Sequence, residues 1–469
     1  MELPQHWRVA CHTDHVGSHA TFVAIQGQNN DGVQFILDAV SRGAQKIVVS
    51  TQAAVDDSVK NMLARKNIPL CTVENTRAAL AQLSAQAYDY PHKKLTIIGI
   101  TGTKGKTTTA CAAFHLLRTA GYSVALISTV YNRINEQFFE APLTTPQPDY
   151  LHMFFAHCVA NGVTHVVMEV AAQAMTLHRL DGILFDMVVF TNIDQEHGEF
   201  YATFAHYFDA KIMLLKQVKP DGMILLNADD ERIAALKTTF PNAQLYSVHD
   251  ASALWYTDLI ETNYGTRGNF RECTWHSPTF SGAFNGSNIT AALAIAVHNG
   301  VESHQAATAC ATVPAIPGRL EQYSTPIGAQ YIIDYAHTPA SYTQLLSLLR
   351  TQTDHLVVLF GAGGAKDHRK RPLMGAIAAQ YADVVLLTSD NPRYEDPKKI
   401  IDDLMAHMSD AQKKKVIIEL DREKAIKKSY KLAKKCSIIA LLGKGPDEFQ
   451  IVGDQKTPFY EKEIIKQLR

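Results

Sequence analysis

The sequence predicts an α/β fold of three domains. The chain has 469 residues, which at about 150 residues per domain suggests three domains. Short apolar runs typical of buried strands alternate with stretches of helical periodicity. This alternation favours parallel strands in sheets that helices cover. We expect the domains at residues 1–93, 94–325 and 326–469.

The first domain is predicted from a strand, a helix and a second strand in succession. Residues 20–25 (ATFVAI) form the first strand, and residues 32–42 carry apolar side chains at helical spacing before Gly43. Residues 46–50 (KIVVS) form the second strand. The polar segment at 90–92 breaks a helix, and we expect the domain to end there.

The second and third domains repeat the same alternation. Strands of the second domain are predicted at 95–100, 124–128, 165–168 and 187–191, and a small antiparallel patch at 263–282. Strands of the third domain are predicted at 331–334, 356–360, 384–388 and 438–442. Helical stretches separate the strands of the third domain, which predicts a doubly wound, Rossmann-like arrangement.

Composition excludes several classes of protein. There are 45 Lys and Arg against 46 Asp and Glu, so the chain lacks the basic excess of a nucleic-acid-binding protein. No apolar stretch is long enough to span a membrane, and the N-terminus does not resemble a secretory signal. The 7 cysteines are scattered without a CxxC pair, which favours a reducing, cytoplasmic location over a disulfide framework.

A glycine-rich loop follows the strand at 95–100 and precedes a helical stretch at 109–120. Glycines let several backbone N–H groups point at one anion, and the helix N-terminus adds positive potential. Ile100 occupies the first glycine position of the usual P-loop pattern, but the rest of that pattern is intact. The loop predicts a P-loop NTPase-like central sheet that binds ATP or GTP through Gly102, Thr103, Lys104, Gly105, Lys106, Thr107 and Thr108. Lys106 would face the β- and γ-phosphates, and the Thr107 hydroxyl would reach Mg²⁺.

Motifs in order along nearly the whole chain resemble those of the Mur ligase family, and most closely its MurE type. They are Thr144-Thr145-Pro146, Met168-Glu169-Val170, Phe190-Thr191-Asn192, Ala210-Lys211, Phe284-Asn285, Pro317-Gly318-Arg319-Leu320-Glu321, Asp334-Tyr335-Ala336-His337-Thr338-Pro339, Arg371-Pro372-Leu373-Met374, Asp390-Asn391-Pro392-Arg393 and Gly443-Lys444-Gly445. The resemblance implies an ATP-dependent amide ligase of peptidoglycan synthesis. Such an enzyme forms an acyl phosphate on UDP-MurNAc-L-Ala-D-Glu and joins it to a diamino acid.

The resemblance also implies the metal and nucleotide sites. Glu169 and His197 are expected to hold Mg²⁺ with Thr107, and two ions are expected. Lys211 resembles a lysine that carries a carbamate, which would turn a cation into an anion able to face Mg²⁺. Catalysis is thus assigned to Lys106, Glu169, His197 and Lys211, and the rest of the ATP site to Asn285, Asn288, Arg319 and Asp334. Helix capping by the two asparagines, and an ion pair between Arg319 and Asp334, are the structural alternatives.

The substrate residues implied by the resemblance fall into two groups. Thr144, Thr145 and Arg179 would bind the UDP-muramoyl peptide. Lys366, Asp390, Asn391, Arg393, Gly443 and Asp447 would bind the amino acid, and Arg393 would hold the distal carboxylate of meso-diaminopimelate by a bidentate pair. We expect small-molecule substrates as partners, with no nucleic acid and no membrane span, and a monomer.

Several positions depart from the family pattern. Ala171, Ala172 and Gln173 replace two serines and a histidine, and His15 lies where the family has serine. Lys366 replaces an arginine, and Asp447 replaces a glutamate. Two alternatives therefore stay open: a paralogue that joins another carboxylate and amine (a secondary metabolite or a polyglutamate-like product), and a non-catalytic nucleotide-binding regulator.

Overall fold

The chain divides into two units in a computed structural model that describes residues 2–27, 30–194, 198 and 200–468. The first unit runs to Ile193 and includes Phe208–Tyr246. The second consists of Asp194–Tyr207 and Ser247 onwards. The domain boundaries at 93/94 and 325/326 stay a prediction.

The chain up to residue 247 contains two groups of strands and the helices between them. The strands are β1 (Trp7–Ala10), β2 (Val16–Val23), β3 (Lys46–Ser50), β4 (Leu70–Val73), β5 (Thr96–Thr101), β6 (Val124–Ile127), β7 (Asn132–Ile134), β8 (Gln137–Phe139), β9 (His165–Glu169), β10 (Phe185–Phe190), β11 (Val218–Asn227) and β12 (Gln244–Ser247). The helices are α1 (Ile36–Ser41), α2 (Asp57–Arg65), α3 (Thr76–Ala87), α4 (Lys106–Thr119), α5 (Pro148–Ala160), α6 (Ala172–Thr176), α7 (Phe204–Leu215) and α8 (Glu231–Ala234).

Strand order in the first unit puts β5 in the interior of a parallel sheet. Strands β1 to β4 pair in parallel, in sequence order. In the larger sheet β12, β11, β10, β5, β9 and β6 follow one another in parallel, and β7 and β8 add antiparallel strands. Because β5 lies between β10 and β9, the loops after these three strands emerge at one edge, where parallel sheets bind ligands.

The first unit contains the predicted strands, but the strand predicted at 20–25 is shifted to Val16–Val23 (β2), and one predicted helix differs. The strand predicted at 46–50 is β3. The helix predicted at 32–42 begins instead as a 3-10 turn, Gly32–Phe35, and becomes α-helical only at Ile36. The Asp31 side chain accepts a hydrogen bond from the Val33 N–H at 3.0 Å, which caps the tighter turn.

The second unit contains the remaining strands and helices. The strands are β13 (Trp255–Glu261), β14 (Thr266–Phe270), β15 (Cys273–Ser277), β16 (Glu321–Ser324), β17 (Gln330–Asp334), β18 (Leu356–Phe360), β19 (Val384–Leu387), β20 (Val416–Ile418), β21 (Ile438–Leu442), β22 (Phe449–Val452) and β23 (Gln455–Pro458). The helices are α9 (Ala283–His298), α10 (Ser303–Ala309), α11 (Pro339–Gln352), α12 (Lys370–Tyr381), α13 (Pro397–Met405), α14 (Asp410–Lys413), α15 (Arg422–Leu432) and α16 (Glu461–Lys466).

A six-stranded sheet organises the C-terminal part of this unit. Its order is β16-β17-β21-β18-β19-β20, parallel except for β16. Apolar cores cover both faces, as a doubly wound sheet requires. The antiparallel patch predicted at 263–282 is present as β13, β14 and β15. In the part of the chain that the structure describes, no helix has the length and apolar character to cross a membrane.

Two buried histidines make the first unit sensitive to acid. The rings of His92 and His152 lie 5.2 Å apart, edge to face, and are 5% and 0% exposed. Neither ring nitrogen of His152 has a hydrogen-bond partner among the residues that the structure describes. Burial, with the neighbouring His92, lowers the pKa of His152 to about 3. Burial, with Lys93 and Lys219, lowers the pKa of His92 to about 4.

We expect the free energy of unfolding to fall as the pH drops from about 6.5 towards 4. In the unfolded chain these histidines take up a proton near their ordinary pKa of about 6.5, whereas in the folded chain they stay neutral until a lower pH. For each histidine, every unit by which the pH falls in this range lowers the free energy of unfolding by up to about 1.4 kcal/mol. Urea unfolding at a series of pH values measures the slope. His152→Phe should flatten it, and His19→Phe, an exposed control, should not. Equal slopes in all three proteins would contradict the assignment.

Candidate active site

The glycine-rich loop joins β5 to α4, and its shape requires glycine at two positions. Gly102 and Gly105 have φ angles of 146° and 80°, which L-residues with a Cβ rarely adopt. A Cβ at Gly102 would also lie 2.0 Å from the Thr191 Oγ1. Helix α4 begins at Lys106, directly after Gly105. The loop therefore approaches a helix N-terminus closely, as an anion site requires.

Residues at the end of β10 support this loop. The Asn192 Oδ1 accepts from the Lys104 N–H at 2.8 Å, and the Asn192 Nδ2 donates to the Lys104 carbonyl at 3.0 Å. The Asn192 carbonyl accepts from the Thr103 N–H at 2.9 Å, and the Thr191 hydroxyl donates to the Lys104 carbonyl at 2.6 Å. The motif containing Asn192 was part of the resemblance, but sequence reasoning assigned it no role. Its position after a strand adjacent to β5 is the signal that could have found it.

Two lysines donate to the same carbonyl of the loop. The Lys106 Nζ bonds the Gly102 carbonyl at 2.9 Å and the Thr103 carbonyl at 3.0 Å. The Lys211 Nζ, on α7, bonds the Gly102 carbonyl at 2.7 Å. Lys211 is only 2% exposed, so it is not a solvated surface lysine of its helix. A buried amine such as that of Lys211 is costly unless a ligand or counter-charge compensates it. Thr103, Thr107 and Thr108, in the loop and the first turn of α4, are also buried.

Glu169 is the last residue of β9, and its carboxylate accepts hydrogen bonds from two threonine hydroxyls and one backbone N–H. Its Oε2 accepts from the Thr107 hydroxyl at 3.0 Å and from the Thr129 hydroxyl at 3.1 Å. Its Oε1 accepts from the Thr129 N–H at 2.8 Å. Sequence reasoning missed Thr129, although it follows β6, the parallel neighbour of β9. Because these two strands end at the same edge, contact between Thr129 and Glu169 is a consequence of the strand order.

The oxygen atoms at this edge of the sheet are suitable ligands for Mg²⁺. A carboxylate and hydroxyl oxygens are hard ligands, and Mg²⁺ usually takes one or two carboxylates together with substrate phosphates rather than a full protein cage. Among the described residues no three His, Cys, Asp or Glu side chains gather as a metal-binding group. His197, the other predicted Mg²⁺ residue, lies outside the described residues.

Thr144, Thr145 and Arg179 lie near Glu169 in differing environments. The Thr144 hydroxyl is 3.1 Å from the Thr129 hydroxyl. The Thr145 hydroxyl is fully buried, donates to the Glu169 carbonyl at 3.0 Å and accepts from the Ala171 N–H at 2.9 Å. The Arg179 Nη1 donates to the Thr145 carbonyl at 2.7 Å. Burial, with the nearby Arg77, lowers the pKa of Arg179 to about 10.

In the second unit, the two asparagines lie inside a helix. Helix α9 begins at Ala283 after Gly282, so Asn285 and Asn288 occupy its first turns and do not cap it. The Asn285 Nδ2 donates to the Ser281 carbonyl at 2.8 Å, and the Asn288 Nδ2 donates to the Asn285 Oδ1 at 3.1 Å. Both side chains are buried. Buried amides that bond one another hold each other in a fixed orientation.

Asp334 ends β17, and Arg319 lies in the turn before β16. The Asp334 carboxylate accepts from the Leu320 and Ala336 N–H groups, each at 2.8 Å. The Arg319 guanidinium lies over the Tyr335 ring, 5.0 Å from its centroid. These contacts fix both side chains beside the carboxyl end of β17, the edge at which a doubly wound sheet binds ligands.

The predicted amino-acid residues gather after β19 and β21. Asp390 and Asn391 are 7% and 6% exposed, so this segment is not an exposed turn at the protein surface. The Arg393 Nη1 donates to the Gly364 carbonyl at 2.7 Å. A Cβ at Gly443 (φ 95°) would lie 3.0 Å from the Asp390 Oδ2. Lys366 is exposed. A Cβ added to Gly363 would lie 3.6 Å from the Lys366 Cγ and 3.3 Å from the Arg393 Nη1, so both side chains lie beside Gly363.

Several charged side chains lie close together near Arg393. Lys444 is fully buried, and its Nζ donates to the Phe449 carbonyl at 2.6 Å and lies 3.7 Å from the Asp390 Oδ1. Burial, together with the negative charge of Asp390, raises the pKa of Asp447 to about 6. Lys444, Lys456 and Arg393 partly offset that rise. A cationic ligand bound next to Asp447 would stabilise the charged form of this carboxylate.

Three family models match the chain in succession. They describe the Mur ligase family catalytic domain at residues 9–88, the Mur ligase middle domain at 100–296 and the Mur ligase glutamate ligase domain at 318–445. The UDP-N-acetylmuramoyl-L-alanyl-D-glutamate–2,6-diaminopimelate ligase of Clostridium tetani is 35% identical over 459 residues, 95% of this chain and 91% of that protein. The ligase of the same name from Aquifex aeolicus is 35% identical over 461 residues, covering 95% and 90%.

Solved structures show the same fold. One of a UDP-N-acetylmuramoyl-L-alanyl-D-glutamate–2,6-diaminopimelate ligase superposes with a TM-score of 0.65 at 24% identity, over 98% of this chain and 94% of that one. MurF ligase from Thermotoga maritima in complex with ADP gives 0.66 at 19% identity, over 94% and 95%. The predicted α/β fold of three domains, with a P-loop NTPase-like central sheet and a Rossmann-like C-terminal domain, is confirmed.

The fold and the phosphate-binding loop define an ATP-dependent ligase. The chain belongs to the Mur ligase family.

Proposed function

We propose that the protein joins meso-diaminopimelate to UDP-MurNAc-L-Ala-D-Glu at the expense of ATP, in peptidoglycan synthesis. The observation that carries the ATP-dependent step is the carboxylate of Glu169, 3.0 Å from the hydroxyl of Thr107 at the start of the P-loop helix. The names of the relatives and Arg393 support the two substrates.

The P-loop and its lysines stabilise charge on the transferring phosphate. A substrate carboxylate attacks the γ-phosphate, and an acyl phosphate and ADP result. The amine then attacks the acyl carbon, and phosphate leaves through a tetrahedral intermediate. Backbone N–H groups of Gly105 to Thr108 and the Lys106 ammonium would face the phosphate oxygens on which negative charge builds up, while Asn192 holds the N–H groups of Thr103 and Lys104. Asn285, Asn288, Arg319 and Asp334 are the proposed contacts to the rest of ATP.

Mg²⁺ would be held by Thr107 and Glu169, with His197 and a modified Lys211 at a second ion. When bound, Mg²⁺ neutralises phosphate charge and holds the phosphates in line. Thr129 would orient Glu169, because it bonds both carboxylate oxygens.

Lys211 is proposed to carry a carbamate. The neutral amine attacks CO₂, its nitrogen loses one proton, and the product is an anion with two oxygens. That charge reversal suits a buried side chain beside a metal site better than an ammonium does. The 2% exposure of Lys211 and its location beside the P-loop, where its Nζ lies 2.7 Å from the Gly102 carbonyl oxygen, support this proposal.

Arg393 and Asp447 are proposed to bind the two charged groups at the distal end of diaminopimelate. Within the described residues one nitrogen of the Arg393 guanidinium, Nη1, has a hydrogen-bond partner, so Nε and Nη2 can take a carboxylate bidentately. Asp447 lies among Asp390, Lys444 and Arg393 and would accept the ammonium group. Lys366, Asp390, Asn391 and Gly443 would complete this site.

The muramoyl substrate would contact Thr144 and Arg179, and Thr145 would fix the backbone beside them.

A second candidate function has a specific observation behind it. Ala171, Ala172 and Gln173 follow Glu169 directly and lack the hydroxyls and imidazole of the family pattern. A Mur ligase paralogue that joins a different carboxylate would need no such groups.

Phosphate release with ATP, Mg²⁺, UDP-MurNAc-L-Ala-D-Glu and a panel of amines tests the proposal. We expect release with meso-diaminopimelate and far less with L-lysine, which lacks the distal carboxylate. Silence with this acid but activity with another would favour the paralogue. ATP binding without turnover on any acid would identify a nucleotide-binding regulator and overturn the proposal.

A further inference from the structure

The hairpin β22–β23, here called the C-terminal hairpin (Phe449–Pro458), packs on the segment that carries Arg393. Its two strands pair only with each other among the described strands. An isolated two-stranded hairpin is marginally stable in water, so this one depends on contacts elsewhere. It finds them along the segment Asp390–Arg393, here called the amino-acid loop.

The hairpin holds both peptide groups of Arg393. The Arg393 N–H donates to the Ile451 carbonyl at 3.2 Å, and the Arg393 carbonyl accepts from the Gly453 N–H at 2.8 Å. Arg393 has a φ of 53°, a left-handed conformation that costs free energy for a residue with a Cβ. Such conformations persist where the surroundings fix them, and they cluster at ligand-binding sites. The hairpin thus selects the backbone geometry from which the guanidinium projects.

A side chain of the hairpin fixes the other end of the loop. The Gln450 Nε2 donates to the Asp390 carbonyl at 2.8 Å. The next residue, Ile451, donates its N–H to the Asn391 Oδ1 at 3.0 Å. Gln450 is half-buried, and among the described residues its side-chain amide has this one hydrogen-bond partner, which lies in the loop.

We propose that Gln450 is a positioning residue of the amino-acid site: it anchors the amino-acid loop to the C-terminal hairpin and so sets where Arg393 meets the distal carboxylate of the amine. This inference rests on the proposed function, which gives Arg393 its ligand. Gln450 itself touches no reacting atom. Its effect passes through the backbone of residues 390–393.

Gln450→Ala should raise the KM for meso-diaminopimelate about fivefold to tenfold, the effect of losing one hydrogen bond. The KM for ATP and the kcat should change less than twofold. Gln450→Glu keeps the volume of the side chain but has no N–H to donate, and it should raise the same KM at least as much. Gln455→Ala is the matched control, because it removes the same amide from an exposed position of β23. Equal KM values in Gln450→Ala and wild type would overturn the inference.

A double-mutant cycle separates positioning from general stability. The effect of Gln450→Ala on kcat/KM for the amine should largely disappear in an Arg393→Ala background, because the guanidinium that it positions is gone. Equal effects in both backgrounds would show that Gln450 does not act through Arg393 and would overturn the inference.

Hydrogen exchange keeps the inference distinct from the proposed function. If wild type releases no phosphate with any diamino acid, the proposed function fails, and the amide of Arg393 still reports on the anchor. We expect its exchange to be faster in Gln450→Ala and unchanged in Gln455→Ala. Unchanged exchange in Gln450→Ala would overturn the inference, whatever the substrate.

Discussion

Lys211→Ala should lower turnover to the background rate, and a short carboxylate such as formate or acetate should restore part of it. The alanine variant lacks the amine that would take up CO₂, and a free carboxylate can supply two oxygens of the same charge in the space that the side chain leaves. Phosphate release at increasing carboxylate concentration measures the rescue. The position of Lys211 in the fold, 2.7 Å from the Gly102 carbonyl and almost without exposure, gives the added anion a defined place to bind.

Lys106→Ala is the matched control for this prediction. Lys106 donates to the same carbonyl, but its proposed role is that of a cation against phosphate. Its loss should also lower turnover strongly, by about a thousandfold, and carboxylates should not restore it, because they add charge of the wrong sign. Full activity of Lys211→Ala without any additive, or equal rescue of both variants, would contradict the carbamate.

Arg422→Met should lower the free energy of unfolding by about 3–5 kcal/mol. Arg422 and Glu461 are buried, 1% and 4% exposed, and the Arg422 Nε donates to the Glu461 Oε1 at 2.7 Å. The Arg422 Nη2 also donates to the Leu442 carbonyl at 3.1 Å. The guanidinium therefore joins the starts of α15 and α16 to the end of β21. Its removal leaves a buried carboxylate without its partner, which costs more than the pair itself contributes.

Urea unfolding of the whole chain measures this loss, and two further variants interpret it. Lys466→Met breaks an exposed pair with Glu463 and should cost less than about 1 kcal/mol. Arg422→Met combined with Glu461→Leu removes both charges and should recover much of the loss. A double variant as unstable as Arg422→Met would show that the unpaired carboxylate is not the cause.

The strands that sequence reasoning found are those with a continuous apolar run. β18 and β21 lie in the interior of their sheet, are buried on both faces and match the predicted bounds at 356–360 and 438–442. The edge strand β20 is apolar but has only 3 residues, too few for a periodic signal. The edge strand β16 was missed because it is short, polar and half-exposed, and a partly solvated strand needs no apolar run. The C-terminal hairpin was missed for the same reason: β23 is exposed at every position.

The residues of the candidate site also divide into those that the sequence predicts and those that it does not. The P-loop could be predicted because glycines, a lysine and a threonine at fixed spacing bind phosphate through the backbone of one continuous segment. Thr129 could not, since its contact with Glu169 depends on the parallel pairing of β6 with β9. The contact of Lys211 with the Gly102 carbonyl could not be predicted either, because the spacing of Ala210, Leu214 and Leu215 indicates a covered helix face but not what covers it.

The sequence by itself determined the alternation of strands and helices, the phosphate-binding loop and the order of the family motifs. Each of these depends on residues close together in the chain, where backbone geometry and side-chain spacing act directly. Only the tertiary structure brought Lys211 to Gly102, 109 positions away, and the C-terminal hairpin to Arg393. Such contacts depend on strand order and on which surfaces exclude water, and these are properties of the packed chain as a whole.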